Sequence, residues 1–220
     1  MADPLNITMT VLTAPPPKQF LADATALAAQ RIVLAPGTRR HTEVVIGSHR
    51  LEIQGRSVAL DDIEAVSYST RLGQANLVQR RTRRRIALAL RDDTLVLELG
   101  TRRFGRQDAV REAAAFDALV RVLHERVEPR LRRRRVQHLC AGGALTLGPL
   151  TLASTGLSVA GPDGERVWPW RSTPLAELRG DHVALVDGGP KGNVHCRIDA
   201  DIADAVMLPE LLWSASAALI

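Results

Sequence analysis

Aromatic residues, lysines and cysteines are all scarce in this chain, and the shortage of aromatics and that of cysteines each argue against a class of function. Phe, Trp and Tyr together make up 3% of the 220 residues, too few for the stacked platform that reads single-stranded nucleic acid. Two cysteines, Cys140 and Cys196, are too few for a disulfide framework or a cysteine-based zinc site, so both are expected to be reduced. Only Lys18 and Lys191 are lysines. No run of about 18 apolar residues occurs, which argues against a membrane-spanning helix. The opening MADPLNITMTVL carries Asp3 where a secretory leader would carry a basic residue, so the expected location is cytoplasmic, with peripheral membrane contact the variant.

What the chain has instead is arginine. Residues 80–135 hold 17 arginines and 8 acidic residues, a local net charge of +9, while the remaining 12 basic and 16 acidic residues net −4. Clustering of this kind points to a polyanion more strongly than a high total does. The clusters are Arg80, Arg81, Arg83, Arg84 and Arg85; then Arg102, Arg103 and Arg106; then Arg130 and Arg132, Arg133, Arg134 and Arg135. If they converge, they form a cationic surface for phosphate groups on lipid or nucleic acid. The alternative is a set of solvated or internally paired side chains, with Glu112, Asp117, Glu125 and Glu128 close by in sequence.

Between the second and third clusters lies one amphipathic stretch. Ala109, Ala113, Phe116, Val120, Leu123 and Val127 recur at three- and four-residue spacing, which predicts a helix over 108–128 with one apolar stripe. Asp108 suits its start, and Pro129 predicts a break or kink near Glu128. The stripe should bury Phe116, Val120 and Leu123, and Arg132–Arg135 should stay in water.

On either side the texture is that of short strands. Upstream, EVVIG, HRLEIQ, SVAL, IEAVSYS, RRIALAL and TLVLEL are divided by turn residues, with a polar loop expected over 73–83. Downstream, ALTLG, PLTLA, GLSVA, RVWPW, PLAELRG, HVALVDGG and NVHCRID repeat the pattern before a last helix over 207–218. Leu51-Glu52-Ile53 through Leu60-Asp61-Asp62-Ile63 aligns with Leu157-Ser158-Val159 through Trp170-Arg171-Ser172-Thr173-Pro174-Leu175. A repeat spaced by roughly 100 residues implies a duplicated unit. Residues 1–40 read as an extension: a strand at 5–11, a turn at Pro15-Pro16-Pro17, a helix over 19–31 and a strand at 32–34.

The step Leu60-Asp61-Asp62-Ile63, the hairpin Asp92-Asp93-Thr94-Leu95-Val96-Leu97 and the closing helix resemble bacterial pleckstrin-homology-like (PH-like) domains. VEPRL at 127–131, Gly143, LGPLTL at 147–152, GLSV at 156–159 and WPW at 168–170 resemble tandem PH-like proteins of unknown function found mostly in actinobacteria. The resemblance implies an α+β, mainly β fold of two tandem PH-like barrels or sandwiches, each closed by a C-terminal helix. It divides the chain into an extension (1–40), a first domain (41–128), an Arg-rich hinge (129–141) and a second domain (142–220). It also implies a non-catalytic binding or scaffolding role, through protein contact or self-association, with no cofactor and no small-molecule substrate. The alternative role is peripheral binding of anionic lipid or nucleic acid.

Other chemistry is weakly supported. His138-x-Cys140 and His195-Cys196 raise zinc, but adjacent residues on a strand face opposite ways. Asp61-Asp62 and Asp92-Asp93 sit at turn positions that favour Asp locally. Gly188-Gly189-Pro190-Lys191-Gly192 lacks the Ser or Thr of a phosphate loop. Trp168, Trp170 and Trp213 are expected to anchor the second core.

Overall fold

Alternating apolar residues build two successive β-meanders in the computed structural model, which describes residues 30–34, 42–53, 55–75, 79–100, 106–161, 164–187 and 193–220. The strand and helix expected before residue 30 lie outside the described residues. The first meander starts with β1 (Gln30–Leu34), β2 (Thr42–Ile46), β3 (Arg50–Ile53) and β4 (Arg56–Ala59), an antiparallel sheet in chain order. The last residues of the expected extension therefore supply its first strand, where Ile32 pairs with Val44. A 3₁₀ turn at Leu60–Asp62 leads into a second sheet: β5 (Ile63–Ala75), β6 (Gln79–Leu90) and β7 (Thr94–Gly100).

The second half repeats this plan. Four strands, β8 (Leu145–Leu147), β9 (Leu150–Ala153), β10 (Gly156–Gly161) and β11 (Gly164–Pro169), form one antiparallel sheet. A 3₁₀ turn at Trp170–Ser172 then precedes β12 (Leu175–Arg179), β13 (His182–Val186) and β14 (Val194–Asp199). The expected alignment of the halves holds strand for strand. Leu51 and Ile53 on β3 and Leu157 and Val159 on β10 are buried on third strands, and Leu60 and Trp170 are buried as first residues of the two 3₁₀ turns. The fold is mainly β in four separate antiparallel sheets, and among the described residues none closes into a barrel.

Two expectations need correcting. The polar loop placed at 73–83 is largely strand, because β5 and β6 extend as one hairpin in which Arg83 lies opposite Arg71 and Gln79 opposite Ala75. Nor does Pro129 break the helix. Helix α1 (Arg106–Val122) passes through a π-helical turn at Leu123–Val127 into α2 (Glu128–Cys140). Proline lacks an amide hydrogen and its ring crowds the preceding turn. The wider turn accommodates this: the Glu128 amide bonds to the Leu123 carbonyl, five residues back, and Pro129 opens the next α-helical segment. The expected hinge at 129–141 is thus helical through Cys140.

This helix serves both cores. Phe116, Leu119, Leu123, Val127 and Leu131 lie in the first, with Val120 packed at its margin, while Leu139 lies in the second. The expected stripe is right at Phe116 and Leu123 but is broader than the spacing predicted, taking in Leu119 and Val122 as well. The final helix, α3 (Leu208–Leu219), buries Leu208, Leu211, Leu212 and Ala215 in the second core. The cores are not independent, because Ala200, Val206 and Met207, just before α3, pack into the first one. No helix among the described residues is long and apolar enough to cross a membrane.

Candidate functional site

The exposed edge of β5 is where the halves meet, and the segment between β14 and α3 covers it. That segment reads Asp199-Ala200-Asp201-Ile202-Ala203-Asp204. The Asp204 amide donates to the Val66 carbonyl at 2.7 Å, and the Val66 amide donates to Asp204 Oδ1 at 3.1 Å. Further along, the Thr70 amide donates to the Gly180 carbonyl at 3.2 Å. An edge strand with open amides and carbonyls invites pairing. Here the chain pairs it with itself, and Ser67 and Ser69 are buried beneath the contact.

Charge follows the backbone. Arg71 Nη2 donates to both carboxylate oxygens of Asp199 (2.8 and 2.6 Å) and lies 2.8 Å from Asp201. Asp201 also accepts from Ser69 Oγ at 2.7 Å and lies 3.4 Å from Arg85. Arg135 Nε donates to Asp204 Oδ2 at 2.9 Å, and its Nη2 donates to the Glu64 carbonyl at 2.9 Å. Burial pushes the Asp204 carboxyl above the usual range even though Arg135 and the Val66 amide pull it down. Removing both charges of a half-buried pair from water offsets much of their attraction.

Among the described residues, several of the clustered arginines turn to partners within the chain. Arg85 and Arg135 face the acidic segment. Arg130 Nη2 donates to the carbonyls of Leu60 (3.0 Å) and Ile63 (2.6 Å), closing the first 3₁₀ turn. Burial, together with the nearby Arg134, lowers its pKa. Arg132 pairs with Glu210 of α3. The expectation that Arg132–Arg135 stay in water holds for Arg133 and Arg134, which are exposed, and fails for Arg132 and Arg135. Arg83 is exposed and Arg84 half-buried on β6. The backbones of Arg80 and Arg81 pair with Gln74 and Gly73 in the same hairpin. Arg102 and Arg103 lie outside the described residues.

A second polar cluster sits where the π turn meets α3. His124 Nδ1 is 2.9 Å from Glu128 Oε2, and His124 Nε2 is 3.6 Å from Glu210 Oε1. The hydrogen bond to Glu128 raises the His124 pKa against the opposing effect of burial. Glu128 is 2% exposed, and Tyr68 of β5 lies against it. Burial first, then the Glu128 charge and a hydrogen bond to it, push the Tyr68 hydroxyl well above its usual range. Among the described residues this is the group that brings three donors of the metal-binding type within 4.8 Å. The contacts it makes are a hydrogen bond between His124 and Glu128 and a longer ion-pair approach of Glu210 to the other ring nitrogen.

The histidine–cysteine pairs show no such convergence. Cys140 is exposed and Cys196 half-buried, neither in a disulfide. His195 turns to Asp187 and Arg166, and Trp168 lies beside its ring. An open groove of about 630 Å³ lies between β4, the first 3₁₀ turn and the β6–β7 turn. Asp61, Asp62, Glu64, Asp92 and Asp93 line it opposite Arg56, Arg91 and Arg134. Arg56 is already paired with Asp93, so the groove presents no surface of one sign.

The tryptophans divide. Trp170 is a core anchor whose Nε1 donates to the carbonyls of Ala153 and Ser154, both at 3.0 Å, and Trp168 is half-buried against the same core. Trp213 is 77% exposed on the outer face of α3, against expectation. Ala217 and Ile220, four and seven residues on, continue that face and are exposed too. From Leu211 to Ile220 the sequence carries no charged side chain.

Reasoning from sequence missed Arg71, Asp199, Asp201 and Asp204. A usable signal was present: the acidic run at 199–204 is the natural complement of an arginine excess elsewhere. No family model, curated protein or solved structure matches this chain.

Proposed function

We propose that this chain is a non-catalytic binding or scaffolding protein, made of two PH-like units clasped together, that acts by protein contact or self-association. The carrying observation is Trp213, a large apolar side chain 77% exposed on a helix face that is uncharged to Ile220. Exposed apolar patches on a soluble body mark contact surfaces, and exposed tryptophan is prominent among residues that dominate such contacts. The resemblance to PH-like modules supports the same reading. Internal pairing of the arginines supports it further, since it leaves fewer cations for a polyanion.

Light scattering coupled to size exclusion, over a concentration series, tests it. Self-association should raise the mass of the native chain, and Trp213→Lys should return it to the monomer. A native chain that stays monomeric and captures no partner through this helix removes the proposal.

The second reading, peripheral binding to anionic lipid or nucleic acid, rests on Arg83, Arg133 and Arg134, which are exposed and without internal ion pairs. Anionic vesicles and duplex DNA across a salt series test it, because such binding must weaken steeply as salt rises.

A further inference from the structure

We propose that His124 is a proton-operated clasp between the long helix and α3. The case begins with the ring itself. Nδ1 faces Glu128 Oε2 at 2.9 Å, a hydrogen bond, and Nε2 faces Glu210 Oε1 at 3.6 Å, an ion-pair approach, so each nitrogen has a carboxylate before it. A neutral imidazole has one N–H and can donate to only one of them. Only the doubly protonated ring both donates to Glu128 and carries the charge that pairs with Glu210. The π turn makes the arrangement specific to this point of the helix: Leu123 and Val127 are buried there while His124 stays half in solvent, open to protons.

The charged groups around the ring come from three elements. Its own helix brings Glu128, Glu125 and Arg132; α3 brings Glu210; β5 brings Tyr68, which lies against Glu128. Arg132 opposes protonation, but it is held by Glu210. The hydrogen bond and charge of Glu128, with Glu125 adding to them, outweigh it. Loss of the proton frees one nitrogen, and the longer, more exposed contact to Glu210 is the one given up. The helix-internal contact to Glu128 remains, so it is the histidine's own link to α3 that opens, while Arg132 keeps its hold on Glu210.

The sign follows from the direction of the shift. The folded pKa of His124 is raised, so its stabilising contribution is fully present below the ordinary histidine value near 6.5 and is lost as pH rises through the folded value. The clasp is shut in acid and open in base. Because the ring is half-exposed, the effect is modest and screened by salt. It does not depend on what the outer face of α3 binds, and a failure to self-associate leaves it standing.

The test is amide hydrogen exchange of α3 in the full chain, corrected for intrinsic exchange, between about pH 5 and 8.5, where histidine titrates. Protection of α3 should fall several-fold as pH rises through the histidine range. His124→Gln should abolish that pH dependence. Glu210→Gln should abolish it too while leaving the histidine titration itself visible by NMR, with Glu128 still in place. A flat profile in the native chain overturns the proposal. So does a profile that survives Glu210→Gln, which would confine the proton to the His124–Glu128 pair within the helix.

Discussion

Asp204 and Val66 exchange two hydrogen bonds across the boundary between the halves, one through backbone alone and one through the aspartate side chain. Asp204 makes them with φ at 64°, in the left-handed region. Asn tolerates that region, and most other side chains do not.

Asp204→Asn keeps the backbone and the Val66 bond and loses only the Arg135 pair, so it should cost less than Asp204→Ala, which should cost about 2–4 kcal/mol through backbone strain and lost hydrogen bonds. Chemical denaturation of the two variants checks the difference. Equal losses would mean that the left-handed backbone carries none of the requirement.

The same pair carries a pH signature. Burial raises the folded pKa of Asp204, so its contribution is greatest in acid and is lost as pH rises through the folded value, above the ordinary range near 4. Measured between about pH 4 and 7, the stability of Asp204→Asn relative to the native chain should improve as pH rises.

Arg130 should behave as a structural residue. Arg130→Ala removes two charged hydrogen bonds that close the first 3₁₀ turn and should lower stability by about 2–3 kcal/mol. Arg133→Ala, at an exposed site, should change stability by less than about 0.5 kcal/mol. The reverse ordering in thermal or urea unfolding would contradict the placement of these side chains.

The two tryptophans of opposite burial offer another contrast. Trp170→Ala should cost about 3–5 kcal/mol, as large-to-small core changes do. Trp213→Lys should leave the unfolding midpoint of the monomer nearly unchanged and alter association alone.

Gly156 is required by geometry. Its φ is +150°, and an added Cβ would lie 2.1 Å from the Trp168 carbonyl oxygen. Gly156→Ala should lower stability by about 1–3 kcal/mol by prising β10 from β11, with denaturant unfolding as the readout.

Much of the fold was legible from the chain because it depends on local rules. Leu95, Leu97 and Leu99 alternate and form a strand. The match between Leu51–Ile63 and Leu157–Leu175 anticipated two meanders of the same plan. Pro129 misled because its usual effect is to end a helix, and only the five-residue bond from Glu128 to Leu123 shows how this helix continues. The 73–83 segment misled because its polar, Gly- and Arg-bearing text hides a strand pairing satisfied on the other arm of the hairpin.

The candidate site was legible only as a list of arginines. Charge density is a property of sequence, but a partner is a property of position. Arg71, alone in its neighbourhood, carries no local signal, yet it holds Asp199, 128 residues away. Sequence by itself determined the strands, the duplication and the excess of positive charge, since periodicity and composition act over a few residues. Tertiary structure alone decided that the acidic segment 199–204 neutralises Arg71, Arg85 and Arg135, that Trp213 faces water, and that His124 sits between two carboxylates. Those outcomes depend on which distant surfaces meet, and no spacing along the chain encodes that.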